Sequence, residues 1–152
     1  MRISAKADYA VRALAELAAS GSDRPVKGET LATRQHIPLN FLENILRELR
    51  RSGIVRTQRG AEGGYLLARP PETINLAQVL RAVEGPLAAV QGTRPNELRY
   101  DGAAESLVDV WVAVRANLRA VLEKVTLADL ARGSLPAAVK KIAAKPEAWE
   151  AH

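Results

Sequence analysis

Cysteine is absent from the 152 residues, and histidine is nearly so, with only His36 and His152. Without a thiol the chain has no disulfide framework, no thiolate zinc site, no cysteine-ligated iron–sulfur cluster and no cysteine nucleophile. Long apolar runs are missing as well, since none approaches the roughly 18 residues of a membrane span. The basic start Met1-Arg2-Ile3 leads into an amphipathic pattern instead of a signal sequence. A cytoplasmic protein with no membrane partner is therefore expected. The chain also lacks a phosphate-cradling loop that opens a helix, a histidine-based pair and a carboxylate pair at useful spacing. Accordingly no enzyme, no catalytic residue, no metal ligand and no cofactor are expected.

The surplus of positive charge is small, at +5, so its distribution carries the information. From Asn44 to Ala61 the chain holds Arg47, Arg50, Arg51, Arg56 and Arg59 against Glu48 alone. Every cation in that window is arginine, whose planar fork suits phosphates and guanine edges. An isolated run of this kind reads as a solvated helix face. The pattern on either side of it points elsewhere.

From Ser4 to about Ser20, apolar residues recur at helical spacing (Tyr9, Ala10, Ala13, Leu14, Leu17, Ala18) and Gly21 ends the run. A short helix follows over Gly28 to Gln35, and His36-Ile37-Pro38 breaks it, because a residue before proline is pushed out of the helical region. The next helix runs from Leu39 to Ser52 and turns Leu42, Ile45, Leu46 and Leu49 inward. Two short helices across a three-residue break form a helix-turn-helix pattern. The period then changes to that of strands, at Ile54 to Gln58 and Tyr65 to Ala68, around the glycine-rich loop Arg59-Gly60-Ala61-Glu62-Gly63-Gly64. A helix-turn-helix followed by a basic-tipped hairpin is a winged helix, and the loop closes a hairpin without opening a dinucleotide-binding helix.

Asn75 and Gln78 make a capping box for a further helix that stops at Gly85-Pro86. Residues 86–103 show no periodicity. From about Ala104 to Val125, Leu107, Trp111, Val114, Leu118, Val121 and Val125 are spaced alternately by four and three, a seam of the coiled-coil kind. Val108, Val112 and Leu122 widen that stripe, so the helix is expected to serve both its own domain and a second chain. Thr126 caps a short helix closed by Gly133, and the Ala- and Lys-rich tail from Ser134 reads as partly disordered. The expected fold is mainly α with a small β-hairpin wing. It comprises a winged helix-turn-helix domain (1–85), a loop (86–103), a long dimerisation helix with a short closing helix (104–133) and a tail (134–152).

The start Met1 to Ala10, the helix Leu39 to Leu49, the wing Arg59 to Tyr65, the phrase Val83-Glu84-Gly85-Pro86-Leu87 and the closing Thr126 to Leu130 together resemble the Rrf2 family of bacterial regulators. The resemblance runs collinearly over residues 1 to about 131. It implies a homodimeric winged-helix transcription factor, usually a repressor, that binds a palindromic operator in double-stranded DNA. Many members hold an iron–sulfur cluster on three cysteines in the loop before the dimerisation helix, and here that loop has none. Asp8 stands where one nitric-oxide-sensing branch supplies a carboxylate ligand from the partner chain. A carboxylate without companion thiolates reads better as a charge favoured by the helix dipole.

On this reading Asn40, Glu43, Asn44 and Arg47 lie on the outer face of the recognition helix, whose first turns reach base edges in the major groove. Asn40 and Asn44 suit adenine, Glu43 can accept from a cytosine amino group, and Glu43 matches the family position that discriminates operator classes. Phe41 either packs under the wing, the favoured option, or touches a thymine methyl. Arg59 matches the family's minor-groove reader at the wing tip. Gly60, Gly63 and Gly64 let the wing approach the sugar–phosphate chain, and Glu62 departs from the small residue often found there. Ser4, Lys6, Arg50, Arg51, Arg56 and Thr57 are candidate phosphate contacts. His36 reads as a turn residue and Trp111 as a core or dimer contact. Control would come from a partner protein, as in the family's cysteine-metabolism branch, or from a small ligand between the loop from Leu87 and the long helix. The competing function is a winged-helix adaptor that no longer binds DNA, against which stand arginines on both DNA-facing elements.

Overall fold

Ser4 holds an extended backbone while its hydroxyl accepts a hydrogen bond from the Ala7 amide, so helix α1 begins at Ala5 and runs to Ser20. The computed structural model describes residues 1–151, and His152 lies outside the described residues. Helix α1 turns Ala7, Ala10, Ala13, Leu14 and Leu17 inward and is packed by the other helices of the winged-helix core and by the second strand of the hairpin. Three alanines on that face allow close approach.

Helix α2 (Gly28–Gln35) stops where His36 adopts a left-handed conformation, with its N–H directed at the carbonyls of Ala32 and Thr33. Pro38 then starts helix α3 (Leu39–Arg51), which buries Leu42, Ile45, Leu46 and Leu49. Strands β1 (Val55–Gln58) and β2 (Gly64–Leu67) pair antiparallel with Val55 opposite Leu67 and Gln58 opposite Gly64. A third edge, unforeseen from the sequence, comes from Val26. It exchanges two backbone hydrogen bonds with Tyr65, at 3.0 and 2.8 Å, and so ties the segment entering α2 to the wing.

Helix α4 (Leu76–Glu84) opens on the expected capping box, with Asn75 and Gln78 bonded reciprocally at 3.0 Å. Helix α6 (Leu127–Arg132) opens on a second one, between Thr126 and Asp129. The two caps lie side by side. The Leu76 amide donates to the Val125 carbonyl and the Leu127 amide to the Ile74 carbonyl, both at 2.9 Å. Helix α6 thereby lies on α1, and Leu127 and Ala128 enter the core of the winged helix. The closing helix is thus part of the first packing unit, although the sequence groups it with the long helix.

That long helix, α5 (Leu107–Leu122), is shorter at both ends than its periodicity predicts and has no buried residue. It rests on α4 and on the turn Pro95–Glu97. Val125 is corrected from the seam to the core: it lies beyond the helix end, is 3% exposed, and is held by the cap pairing. The loop ahead of α5 is held by contacts of its own. Val90 and Thr93 exchange two backbone bonds, Pro95 is buried, and Arg115 on α5 donates to Asn96 at 2.8 Å. The tail also departs from expectation, because Pro136 starts helix α7 (Ala137–Ala143) in a stretch of strong helix formers. Trp149 then donates its indole N–H to the Ala143 carbonyl.

Candidate nucleic-acid interface

Burial of Leu42, Ile45, Leu46 and Leu49 fixes the rotation of α3 and leaves Asn40, Phe41, Glu43, Asn44, Arg47, Arg50 and Arg51 exposed. Arg47 donates to the Asn44 side-chain oxygen at 2.9 Å, so these two form a preset pair one turn apart. Beyond α3, the wing carries Arg59 and Gly60 at its exposed tip. Of the five arginines between Asn44 and Ala61, none has a salt bridge among the described residues. Glu48, the acid of that stretch that could have neutralised one, is engaged by Lys6 at 2.8 Å. The five guanidinium groups are therefore unpaired, and this surface keeps a net positive charge with Glu43 and Glu62 as its exposed acids, as attraction of a polyanion requires.

Several of the candidate side chains already have partners in the fold. The Ser4 hydroxyl accepts from Ala7 and donates to the Glu84 carboxylate. Lys6 is brought to the flank of α3 through its pair with Glu48. Phe41 does not pack under the wing, as it is 64% exposed. The reason is helical phase. Leu39 and Leu46 face Gly28, which touches Tyr65 of the wing, whereas Phe41 lies seven residues before Glu48 and shares the opposite flank with it. Arg56 is exposed and Thr57 half-buried on β1.

The wing glycines also have a nearer reason than DNA approach. A Cβ on Gly63 would stand 2.2 Å from the Gln58 carbonyl oxygen, and one on Gly64 would stand 2.5 Å from that of Val26. Gly60 is open on all sides at a φ of +110°, a conformation that favours glycine. Arg24, Lys27 and Arg34, which the sequence reading did not single out, line a recess of about 520 Å³ with Glu16, Glu62 and Gly63 between α1, α2 and the wing, where Arg34 stands 3.7 Å from Glu16. The signal for them was Val26, a β-branched residue after the turn at Pro25, which pairs with the wing and carries Lys27 to it.

Besides Met1, Ile3, Ile142 and Trp149, exposed apolar surface is also found on α5. Leu107, Trp111, Val114, Leu118 and Val121 are all partly exposed, and Val110 and Val112 on the same helix are 50% and 40% exposed. Where α5 meets α4, Glu123 receives hydrogen bonds from Arg81 at 2.7 Å and Arg119 at 2.9 Å. The bond from Arg119, then that from Arg81, hold its carboxyl down at about 2. No helix is long and apolar enough to cross a membrane among the described residues.

Known proteins share this arrangement. The Rrf2 family, described as an iron-dependent transcriptional regulator, matches residues 3–133. An HTH-type transcriptional regulator of Mycobacterium tuberculosis strain H37Rv is 51% identical over 143 residues, covering 94% of this chain and 89% of the relative. CymR of Bacillus subtilis is 30% identical over 86% of this chain and 90% of its own. The structure of that protein, a global cysteine regulator, aligns with a TM-score of 0.75 over 88% of this chain and 98% of the other. IscR of T. potens aligns with a TM-score of 0.68 and 30% identity over 100% of this chain and 93% of the other.

The iron of the family description finds no fitting donor set here. A protein-held iron–sulfur cluster needs thiolates, and the chain has none. The loop 86–103 offers only Glu97 and Asp101 as charged oxygen donors. Among the described residues no three histidine or carboxylate groups gather as a metal site. With a winged-helix fold, a net positive outer face on α3 and the wing and this likeness along nearly its whole length, the chain belongs to the Rrf2 family of DNA-binding helix-turn-helix transcriptional regulators, as a member without cluster-binding cysteines.

Proposed function

We propose that the protein is a homodimeric, sequence-specific repressor that binds a palindromic operator and is controlled by an effector other than a cysteine-ligated cluster. One observation carries this reading: α3 and the wing present Asn40, Glu43, Asn44, Arg47 and Arg59 on exposed surface, with no acid paired to either arginine. In such a dimer each α3 enters a major groove, with Asn40 and Asn44 on adenine, Glu43 on cytosine, and Arg59 in an adjacent narrow minor groove. Arg50, Arg51, Lys6 and the strand residues Arg56 and Thr57 hold the phosphates. The recess beside Lys27 and Arg24 adds cations to the same backbone.

The second chain is supported by α5, whose seam of Leu107, Trp111, Val114, Leu118 and Val121 is incompletely covered by its own chain. The indole N–H of Trp111 is buried without an acceptor there. The effector would act where the loop 86–103 meets α5, because that junction links the helix to α4 and hence to the reading unit.

Selection of genomic fragments with the purified protein tests the reading, followed by titration of the best site at several salt concentrations. Enrichment of a palindrome, with affinity falling steeply as salt rises, is expected. Weak binding without sequence preference, unchanged by cell extract, would favour the adaptor function.

A further inference from the structure

Phe41 is the chain's only phenylalanine, and its ring stands 64% exposed in the first turn of α3. Apart from this ring, the outward face of that helix carries amides, carboxylates and guanidinium groups. An aromatic ring has no hydrogen bond to offer a phosphate or a base edge. Left in water it forfeits the free energy that burial would return. Helical phase removes the wing as its cover, as shown above.

The ring instead sits among the amides. Asn40 precedes it and Asn44 follows it at the three-residue spacing that brings side chains together. Asparagine pairs in bidentate fashion with adenine, and the partner of adenine in the same major groove is thymine. Thymine presents there the one apolar group of any base edge, its C5-methyl.

We propose that Phe41 reads the C5-methyl of a thymine in each operator half-site, at or next to the A·T pair taken by Asn40 or Asn44. The inference rests on the DNA-reading function proposed above and specifies the chemistry of one position within it. A 5-methylcytosine at that position offers the same methyl, so the contact reads a methyl group and not hydrogen bonding. The protein would then bind with different strength to methylated and unmethylated cytosine placed there.

The test begins from the operator returned by selection and replaces each thymine in turn by uracil, which deletes only the methyl. One position per half-site is expected to weaken binding about fourfold, the worth of one methyl removed from an apolar contact. Phe41→Ala, at an exposed site, is expected to unfold at the unaltered temperature, to weaken binding to the thymine operator, and to lose the distinction between thymine and uracil at that position alone. Replacing that A·T pair by G·C with 5-methylcytosine and with cytosine should restore a methyl-dependent difference in the parent protein. Equal affinity for every uracil operator, or the same uracil penalty in Phe41→Ala as in the parent, would overturn the inference and leave the regulator reading standing. Failure of selection to return any operator would overturn both.

Discussion

At the scale of single residues, the surface separates groups committed within the protein from groups left for a partner. Ser4 and Glu48 have partners in the fold, while Arg47, Arg50, Arg51 and Arg59 form no salt bridge among the described residues. Arg59→Ala is expected to cost about 1–3 kcal/mol of operator affinity, as expected for one good groove contact. Anisotropy titration of the selected site reads this directly, and an unchanged curve would remove the role given to Arg59. Gly63→Ala acts on the fold itself. Its Cβ would collide with the Gln58 carbonyl, so thermal unfolding should show a loss of about 1–3 kcal/mol, the usual cost of overpacking. An alanine variant with parental melting would mean that the hairpin can shift at no cost.

At the scale of elements, the caps and the ion pairs decide how helices meet. The cap pairing of Asn75 and Thr126 brings α6 beneath α1, and Glu123 joins α4 to the end of α5. The pH dependence of that joint follows from the sign of the shift. The Glu123 carboxyl is held at about 2 in the folded state, against 4.5 without its partners. Its contribution is therefore complete above about pH 4.5 and is lost as the pH falls towards 2, because the unfolded or detached state takes up the proton first. Acid titration of Trp111 emission in a Trp149→Phe background should show α5 loosening in that window. The same titration in Glu123→Gln should be flatter there, and identical curves would show that Glu123 is not what holds the helix.

For the whole molecule, the imbalance between a full core and a partly covered α5 sets the expected assembly. Because α5 contributes no buried residue, a charge placed on it should leave the winged helix folded while disrupting contact with a second chain. Val114→Asp is expected to sediment as a monomer, to retain the parental circular dichroism spectrum, and to bind the palindrome with the lower affinity of a single half-site. A Val114→Asp protein that remains dimeric would place the dimer interface elsewhere on the surface. The loop 86–103, held by Pro95 and by Asn96 on Arg115, lies against the same helix.

The sequence by itself determined what depends on neighbours within a turn or two of chain. Helical and strand periods place α1 to α5 and the hairpin, and proline, glycine and capping residues end most of them within a few positions. The inward set Leu42, Ile45, Leu46 and Leu49 fixes the outward set that includes Asn40, Asn44 and Arg47, and the absence of cysteine excludes a thiolate-held cluster. What the tertiary structure decided depends on groups far apart in the chain. Val26 becomes a third strand edge only because Tyr65 is there to pair with it. Val125 leaves the seam for the core because its carbonyl is claimed by Leu76. Ser4 gives its proton to Glu84. In each case a local pattern left more than one partner open, and a long-range hydrogen bond made the choice.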